Sequence, residues 1–87
     1  MKITRTKKFE KAYAKLSEKK KKAVDAAISI FYENPQNITL KNHRLHGEKE
    51  GLRAISAGGD LRIIFLEKDG YIEVLMLHVG THNQVYD

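Results

Sequence analysis

The chain has 87 residues, of which 41% are hydrophobic and 31% charged, and its formal net charge is +5 at pH 7. This length predicts one domain over residues 1–87 with a single modest core, and the lack of cysteine excludes a disulfide framework and a thiolate site. No stretch has the apolar character of a signal peptide or a membrane span, so we expect a cytoplasmic protein without a membrane partner. The basic excess favours acidic partners, which could be nucleic acid or an acidic protein.

The first part of the chain predicts a strand followed by two helices. Residues 2–5 (KITR) predict a short edge strand, and Thr6 can cap a helix over residues 7–16. Ser17 can cap a second helix, which ends at Asn34 because the residue before a proline avoids helical geometry. Apolar side chains recur at helical spacing in both segments, at Phe9, Tyr13 and Leu16 and then at Val24, Ala27, Ile28 and Phe31. Two consecutive helices with a tight joint predict a helical hairpin.

The second part predicts three strands after a polar loop. Residues 36–51 contain few strong structure formers, so we expect an irregular loop with one short strand at most. The three strands are expected at residues 52–56, 60–67 and 71–79. Gly58-Gly59 provides a favoured two-residue hairpin turn between the first two strands. The last strand is apolar on both faces, which is typical of a central strand rather than an edge strand.

The order of these elements predicts an α+β fold, in which a helical hairpin packs against an antiparallel meander. Both amphipathic helices are expected on the same face of the sheet, because each must bury one apolar stripe. The expected core includes Val24, Ile28, Phe31, Ile63, Phe65, Val74 and Met76. The opposite face of the sheet is expected to be partly open, with Arg53, Arg62 and Glu73 available.

The four histidines are the residues best suited to acid–base chemistry near neutral pH. His46 is interpreted as a solvated loop residue and His78 as a half-buried strand residue. A zinc site built from all four is not expected, because the first pair lies on a loop and Gly80 interrupts the second, and no cofactor is predicted. His43 and His82 are the better acid–base candidates, since they precede and follow the meander and such loops can meet at one end of a sheet.

Three further groups of polar residues have both a structural and a functional interpretation. Asp60 follows the glycine pair, where aspartate is an ordinary turn residue. The lysine run at residues 19–22 forms a solvated helix start in one interpretation and contacts phosphate in the other. Arg53 and Arg62 lie within strands. Their guanidinium groups could bind phosphate through paired N–H donors or form ion pairs with Glu73 across the sheet, and both interpretations stay open.

Four stretches together resemble the RelE/ParE superfamily of toxins from toxin–antitoxin systems, most closely its YafQ-like branch. They are FEKAYAKL at residues 9–16, LKNHRLHGEKEGLRAI at 40–55, DLRIIF at 60–65 and GTHNQVYD at 80–87. The resemblance implies a small curved antiparallel sheet with the two N-terminal helices on one side. It also implies ribosome-dependent cleavage of messenger RNA, and silencing by a cognate antitoxin protein.

The resemblance also implies roles for individual residues. Four residues match positions of the YafQ-like motif: His43 its loop histidine, Asp60 its aspartate, His82 its terminal histidine and Tyr86 its terminal aromatic residue. Ser56 occupies the place of the strand histidine in that motif, so this position lacks a general base. The terminal stretch would place His82 and Tyr86 one helical turn or one bent strand apart, with both side chains facing one pocket.

The residue types suit RNA cleavage by the RNA's own 2′-hydroxyl, which attacks the adjacent phosphate. Such a site needs a base, an acid and nearby cations, and it requires no metal. His82 would be the acid, and His43 or Asp60 would be the base. An aromatic ring could stack on an unpaired base of the RNA. The residues expected to contact RNA are Arg53, Arg62, Tyr86 and Lys41.

Two alternative functions use the same fold. A ParE-like protein inhibits gyrase by binding and cuts nothing. Members of that kind lack the histidine set, so His43 together with His82 argues against this alternative. The other alternative is a catalytically weak relative that serves only as an antitoxin-binding partner, and Ser56 keeps it open. The partners implied by the resemblance are an antitoxin, the ribosome and messenger RNA.

Overall fold

The computed structural model describes residues 1–86 of the chain. The strands are β1 (Lys2–Arg5), β2 (His43–Arg44), β3 (Arg53–Ser56), β4 (Leu61–Lys68) and β5 (Glu73–Thr81). The helices are α1 (Lys7–Ala14), α2 (Glu18–Glu33) and α3 (His82–Tyr86). Short 3₁₀ turns at Ile38–Leu40 and Gly47–Lys49 lie before and after β2. Within residues 1–86, no helix is long and apolar enough to cross a membrane.

Side-chain caps begin the first two helices at the residues that the sequence indicated. The hydroxyls of Thr6 and Ser17 each accept a hydrogen bond from the backbone N–H three residues later, at 3.1 and 3.2 Å. α1 ends at Ala14, earlier than predicted. α2 ends before Asn34, which is extended (φ −156°) ahead of the proline. The predicted helical hairpin is therefore present.

The five strands form one sheet in the order β1-β5-β4-β3-β2. Strands β2 to β5 pair antiparallel, as the predicted meander requires, whereas β1 pairs parallel with β5. The sheet is thus mixed rather than wholly antiparallel. Parallel neighbours need a long crossover connection, which the helical hairpin and the meander supply between β1 and β5. As predicted, β1 is an edge strand and β5 lies between two other strands.

Both N-terminal helices pack on one face of this sheet, as predicted. Phe9 of α1 and Phe31 of α2 join the same buried cluster as Phe65 of β4. The rings of Phe31 and Phe65 meet edge to face, with 4.9 Å between their centroids. The predicted core residues are buried except for Ile28, which is half-buried against this cluster. The α+β architecture expected from the sequence is therefore confirmed.

The opposite face of the sheet carries a second, smaller apolar cluster. Its buried members are Leu45, Ala54, Ile64 and Val85. Val85 belongs to α3, so the C-terminal helix covers part of the face that was expected to be open. In β5 one extra residue, Leu77, lies between the partners of Ile64 and Phe65. Such a bulge bends the strand and increases its twist close to the place where α3 packs.

The β3–β4 hairpin has a longer loop than the predicted Gly58-Gly59 turn. The Ala57 N–H donates to the Leu61 carbonyl at 2.9 Å, so the residues between them, which include Asp60, form the loop. Both glycines have positive φ, +89° and +50°, which residues with a side chain adopt at a cost. The longer loop matters for the site, because it brings Asp60 to the start of α3.

Candidate active site

α3 begins with a reciprocal pair of hydrogen bonds between Thr81 and Gln84. The Thr81 N–H donates to Gln84 Oε1 at 2.8 Å, and the Gln84 N–H donates to Thr81 Oγ1 at 3.3 Å. This is the capping box of a Thr-x-x-Gln sequence, which satisfies backbone groups at a helix start. The His82 N–H donates to the Asp60 carbonyl at 2.9 Å. The first residue of α3 is therefore tied to the β3–β4 loop.

Gly80 lets α3 lie directly on the end of β5. It is buried, and a Cβ atom built there would lie 2.7 Å from Gln84 Oε1 and 3.1 Å from Gln84 Cβ. The Gln84 side chain thus occupies the space that a larger residue at position 80 would need. Gly80, Thr81 and Gln84 together fix the position of α3, and the prediction of site residues included none of them. The Thr-x-x-Gln spacing was the signal that could have indicated them.

His82 and Tyr86 lie one helical turn apart on the same side of α3. Their ring centroids are 4.5 Å apart and their planes are inclined at 67°, which is an edge-to-face contact. His82 is exposed, whereas Tyr86 is half-buried. Of the two geometries that the sequence left open, the helical turn is the one found. The result is an accessible imidazole held against an aromatic ring.

Arg62 of β4 supplies a fixed positive charge beside α3. Its Nη1 donates to the Gly59 carbonyl at 2.9 Å and to the Leu61 carbonyl at 2.8 Å. The same nitrogen lies 3.4 Å from Oγ of Ser56, its partner on β3. Burial raises the pKa of Tyr86, and the positive charge of Arg62 opposes that shift. The guanidinium and the phenol are therefore close in space, and the phenol keeps its proton at neutral pH.

His43 of β2 projects on the same face of the sheet as Ser56 and Arg62. It pairs with Ala54, and Ala54 shares a face with Ser56 because side chains alternate along β3. The His43 Nδ1 lies 2.8 Å from the Lys41 carbonyl. If Nδ1 carries the proton, it donates to that carbonyl and Nε2 becomes the accepting nitrogen. This geometry suits a general base.

The structure therefore gathers one group of the predicted residues on the α3 side of the sheet. Its members are His43, Asp60, Arg62, His82 and Tyr86. The backbone carbonyl of Asp60 accepts the His82 N–H, while the Asp60 side chain is exposed at the loop. Lys41 is exposed next to this group. The two histidines chosen as acid–base candidates are not on meeting loops: His43 lies on β2 and His82 begins α3.

Arg53 lies on the opposite face of the sheet. Its Nε donates to Asn42 Oδ1 at 2.8 Å, and the Asn42 Nδ2 donates to the Tyr71 hydroxyl at 3.1 Å. Because Tyr71 packs against the core on the helix side, Arg53 belongs to that side. Glu73 pairs in register with Lys68 at the far end of β4. The structure therefore does not support pairing of Glu73 with the strand arginines.

The other two histidines are placed as predicted. His46 is exposed, with its Nδ1 3.7 Å from the Glu50 carboxylate, and it borders a cleft of about 360 Å³ together with Tyr86. His78 is half-buried in β5. Burial lowers the pKa of His78, and the nearby charge of Lys8 lowers it further. Within the described part of the chain, no three His, Cys, Asp or Glu side chains converge as metal ligands do.

Comparison with known proteins identifies the family. The family model described as a bacterial toxin of a type II toxin–antitoxin system, YafQ, matches residues 1–87. No curated protein sequence matches the chain. The crystal structure of YafQ from E. coli strain BL21(DE3) has a TM-score of 0.79 and 20% identity, over 98% of this chain and 97% of that chain.

Two further solved structures share the fold. The YoeB/ParE toxin from Agrobacterium tumefaciens has a TM-score of 0.77 and 14% identity, over 94% of this chain and 99% of that chain. A chain of the E. coli DinJ-YafQ toxin–antitoxin complex has a TM-score of 0.76 and 20% identity, over 98% and 96% of the two chains. At such identities these likenesses show the fold alone, whereas the family match spans the whole sequence. The chain therefore belongs to the YafQ family of toxins from bacterial type II toxin–antitoxin systems.

Proposed function

We propose that this protein is a cytoplasmic toxin that cuts messenger RNA on the ribosome, as an endoribonuclease that uses no metal. The observation that carries the proposal is the contact between His82 and Tyr86 beside the Arg62 guanidinium. This group offers a proton donor, a ring on which a base can stack and a cation for phosphate. Membership of the YafQ family supports the same function, because the resemblance of the sequence to YafQ-like toxins implies it.

The proposed reaction uses the 2′-hydroxyl of the RNA as the nucleophile. A base removes the hydroxyl proton while the 2′ oxygen forms a bond to the adjacent phosphorus. The bond from phosphorus to the 5′ oxygen breaks, and an acid delivers a proton to that departing oxygen. The products are a 2′,3′-cyclic phosphate and a 5′-hydroxyl. His82 is the proposed acid, since its ring is exposed and is held in place by Tyr86.

The proposed base is His43, with Asp60 as the alternative. Ser56, at the place of the strand histidine in the YafQ-like motif, has no basic atom near neutral pH. The Lys41 carbonyl beside the His43 Nδ1 favours the tautomer in which Nε2 accepts a proton. Asp60 lies beside the proposed acid, because its carbonyl accepts the His82 N–H. This proximity suits Asp60 better to orienting the site than to acting across the substrate from His82.

Arg62 is the proposed stabiliser of the phosphorane. Its closest partners are neutral carbonyls, and no carboxylate within residues 1–86 is paired with it, so its charge is proposed to serve phosphate oxygens. Tyr86 is proposed to stack on a base, and exposed Lys41 to contact a phosphate. Arg53 faces the helix side, so the RNA contact proposed for it lies outside the reaction centre.

We also propose that a cognate antitoxin binds and silences this protein. A toxin of the same fold occurs in the E. coli DinJ-YafQ complex. The net charge of +5 suits an acidic partner. A segment that is disordered alone and orders on binding can wrap a large surface of a small protein.

A second candidate function is antitoxin binding with little or no catalysis. The observation that favours it is the environment of Ser56, whose hydroxyl lies 3.4 Å from Arg62 Nη1 in place of a histidine. A protein that had lost a base could keep its fold and its partner. The gyrase-inhibitor alternative has no comparable support in the site, and it remains an outcome of the test.

The test is a brief induction of the toxin without its antitoxin. Primer extension on an abundant messenger RNA should reveal new 5′ ends, and pulse labelling should show protein synthesis stopping before DNA synthesis. A His82→Ala protein should give neither effect. Arrest of DNA synthesis first, with intact messenger RNA, would support gyrase inhibition instead. Intact messenger RNA with both syntheses continuing would support the binding-only function.

A further inference from the structure

A groove of about 430 Å³ lies between α1, the start of α2, β5 and α3. We call it the lysine groove, after Lys8, Lys11, Lys15 and Lys20 on its walls. His78 and Gln84 also line it. The candidate active site shares only α3 with the groove, and there it uses His82 and Tyr86, which contact each other, whereas the groove uses Gln84. The groove is therefore a separate concave surface that the proposed reaction leaves unused.

The lysines of the groove form an ordered array. Lys8, Lys11 and Lys15 are spaced by three and four residues, so they project from one side of α1 and its C-terminal cap. Seven residues of helix span about 10 Å, which is enough to meet successive phosphates of a nucleic acid strand. Like charges at these spacings weaken an isolated helix. Among the described residues that line the groove, none is acidic.

His78 on the wall of the groove carries a buried polar atom. The Nδ1 atom of His78 is buried and has no hydrogen-bond partner within residues 1–86. Burial lowers the pKa of His78, with a further contribution from Lys8. The lowered pKa keeps the imidazole uncharged near pH 7, so the positive charge of the groove comes from its lysines.

We propose that the lysine groove binds phosphate groups of RNA, outside the candidate active site. This inference rests on the proposed function, because it assigns the groove to the messenger RNA strand that leaves the active site. α3 separates the two surfaces: Gln84 lines the groove, and His82 is two residues away on the same helix. An α-helix is about 10 Å across, so a strand leaving the active site can reach the lysines within a few nucleotides.

An acidic segment of the antitoxin is the competing occupant, and a second groove suits it better. A segment that folds on binding must bury apolar surface to offset the entropy that it loses. A groove between α2 and the β3–β4 loop supplies such a surface, with Ala26, Ile30 and Leu40 on its walls. The charged side chains of the lysine groove are lysines alone, which suit the point charges of phosphates.

The test compares two triple variants that remove the same charge. The groove variant carries Lys8→Gln, Lys11→Gln and Lys15→Gln, and the control carries Lys2→Gln, Lys22→Gln and Lys68→Gln at exposed positions outside the groove. Glutamine has nearly the helix propensity of lysine, so both proteins should fold.

The probe is a fluorescent 2′-O-methyl oligonucleotide, which cannot be cut because its nucleophile is blocked. Binding is measured as a fluorescence anisotropy change from about 0.05 to 1 M KCl, a range wide enough to resolve counterion release.

The expected result is a weaker salt dependence for the groove variant. Each phosphate contact on a single strand contributes about 0.7 to the slope of log affinity against log salt, so three lost contacts lower the slope by about 2. If the proteins converge at 1 M salt, the affinity of the groove variant falls roughly 50-fold at 0.15 M. The control should keep most of the wild-type slope. If the triple variant melts early, the pair Lys8→Gln and Lys11→Gln should lower the slope by about 1.4.

Two results would overturn the inference. In the first, the groove variant keeps the wild-type slope of log affinity against log salt. In the second, the slope of the control falls as much as that of the groove variant. A groove variant that binds RNA normally but loses affinity for the antitoxin would assign the groove to the acidic peptide. Cleavage is measured separately on unmodified messenger RNA. If the groove variant has a smaller salt slope but the wild-type protein cuts no messenger RNA, only the nuclease proposal fails. If the wild-type protein cuts messenger RNA but the groove variant keeps the wild-type slope, only the groove proposal fails.

Discussion

The imidazole of His82 meets the ring of Tyr86 edge to face, with 4.5 Å between the two centroids. The contact follows from the i, i+4 spacing within a helix of five residues. So short a helix is not stable by itself, and its capping box and its packing on Gly80 hold it in place. The geometry of the proposed acid therefore depends on residues that never touch the substrate.

Replacing His82 by alanine should abolish most cleavage while leaving the fold intact. If His82 protonates the departing oxygen, the rate should fall by about 10²–10⁴-fold, the usual range for one acid–base group. The side chain is exposed, so the melting temperature should change little. The measurement is the rate at which the protein cleaves messenger RNA on translating ribosomes. Asn83→Ala, at the neighbouring exposed position of α3, is the matched control, and a fully active His82→Ala protein would remove the proposed acid.

Replacing Tyr86 should separate the role of its ring from that of its hydroxyl. Tyr86→Ala should weaken RNA binding by about 1–3 kcal/mol, a typical contribution of one stacked base. Tyr86→Phe should lose much less, because burial raises the pKa of Tyr86 and the hydroxyl carries no charge at working pH. Tyr86 also packs against the second apolar cluster, so each variant needs a measured free energy of unfolding. Equal losses in the two variants would assign the effect to the hydroxyl instead.

The close contact between Gly80 and Gln84 predicts a non-additive pair of substitutions. Gly80→Ala should cost about 1–3 kcal/mol of stability, because its Cβ would lie 2.7 Å from Gln84 Oε1. Gln84→Ala should cost about 0.5–2 kcal/mol through loss of the cap. The double variant should cost less than the sum, since the obstructing amide is gone. Urea unfolding of the four proteins measures this, and strict additivity would show that α3 moves aside freely.

Much of the fold could be predicted because its signals are local. Thr6 and Ser17 cap helices in the manner that their side chains allow in any context, and the proline ends α2 through steric exclusion. The parallel pairing of β1 with β5 has no local signal, since it depends on where the hairpin of helices brings the chain. The Thr-x-x-Gln spacing indicates the start of α3, but a helix of five residues is too short to show a helical period of apolar residues.

The sequence allowed candidate residues for the site to be chosen, but it could not predict their positions or their hydrogen-bond partners. The sequence predicted that the loops of His43 and His82 meet at one end of the sheet. The structure places His43 and Arg62 on the α3 side of the sheet, with His82 at the start of α3. Arg53 was grouped with Arg62, although alternation along β3 puts Arg53 on the same side as buried Ile55. The partners of Arg62 could not be predicted, because they are the backbone carbonyls of Gly59 in the β3–β4 loop and of Leu61 at the start of β4.

His78 should make the protein less stable in mild acid. Burial and the neighbouring Lys8 and Lys49 lower the pKa of His78 in the folded protein below its ordinary 6.5. As the pH falls through about 6.5, the unfolded state binds a proton that the folded state resists, so the free energy of unfolding decreases. His78→Gln should flatten this dependence between pH 7.5 and 5 (roughly one unit or more on either side of that pKa). Parallel curves for the two proteins would contradict the assignment.

Introducing a histidine at position 56 should accelerate cleavage. Ser56 pairs with Arg62 across the sheet, and its hydroxyl lies 3.4 Å from Arg62 Nη1. An imidazole introduced there would face the same guanidinium, whose charge lowers the pKa of a histidine and keeps it neutral as a base at pH 7. Ser56→His should therefore raise the rate by about 10²-fold, the lower end of the range for one added base.

The shape of the pH–rate profile distinguishes an added base from a merely repacked site. In Ser56→His the rate should gain a rising limb controlled by one ionisation below the ordinary histidine pKa, about 6.5. Ser56→Asn, which is polar and larger than serine but cannot take up a proton near neutral pH, is the matched control and should keep the wild-type profile. A Ser56→His protein that is no faster, with an unchanged profile, would mean that His43 or Asp60 already supplies the base and that position 56 serves only to hold Arg62.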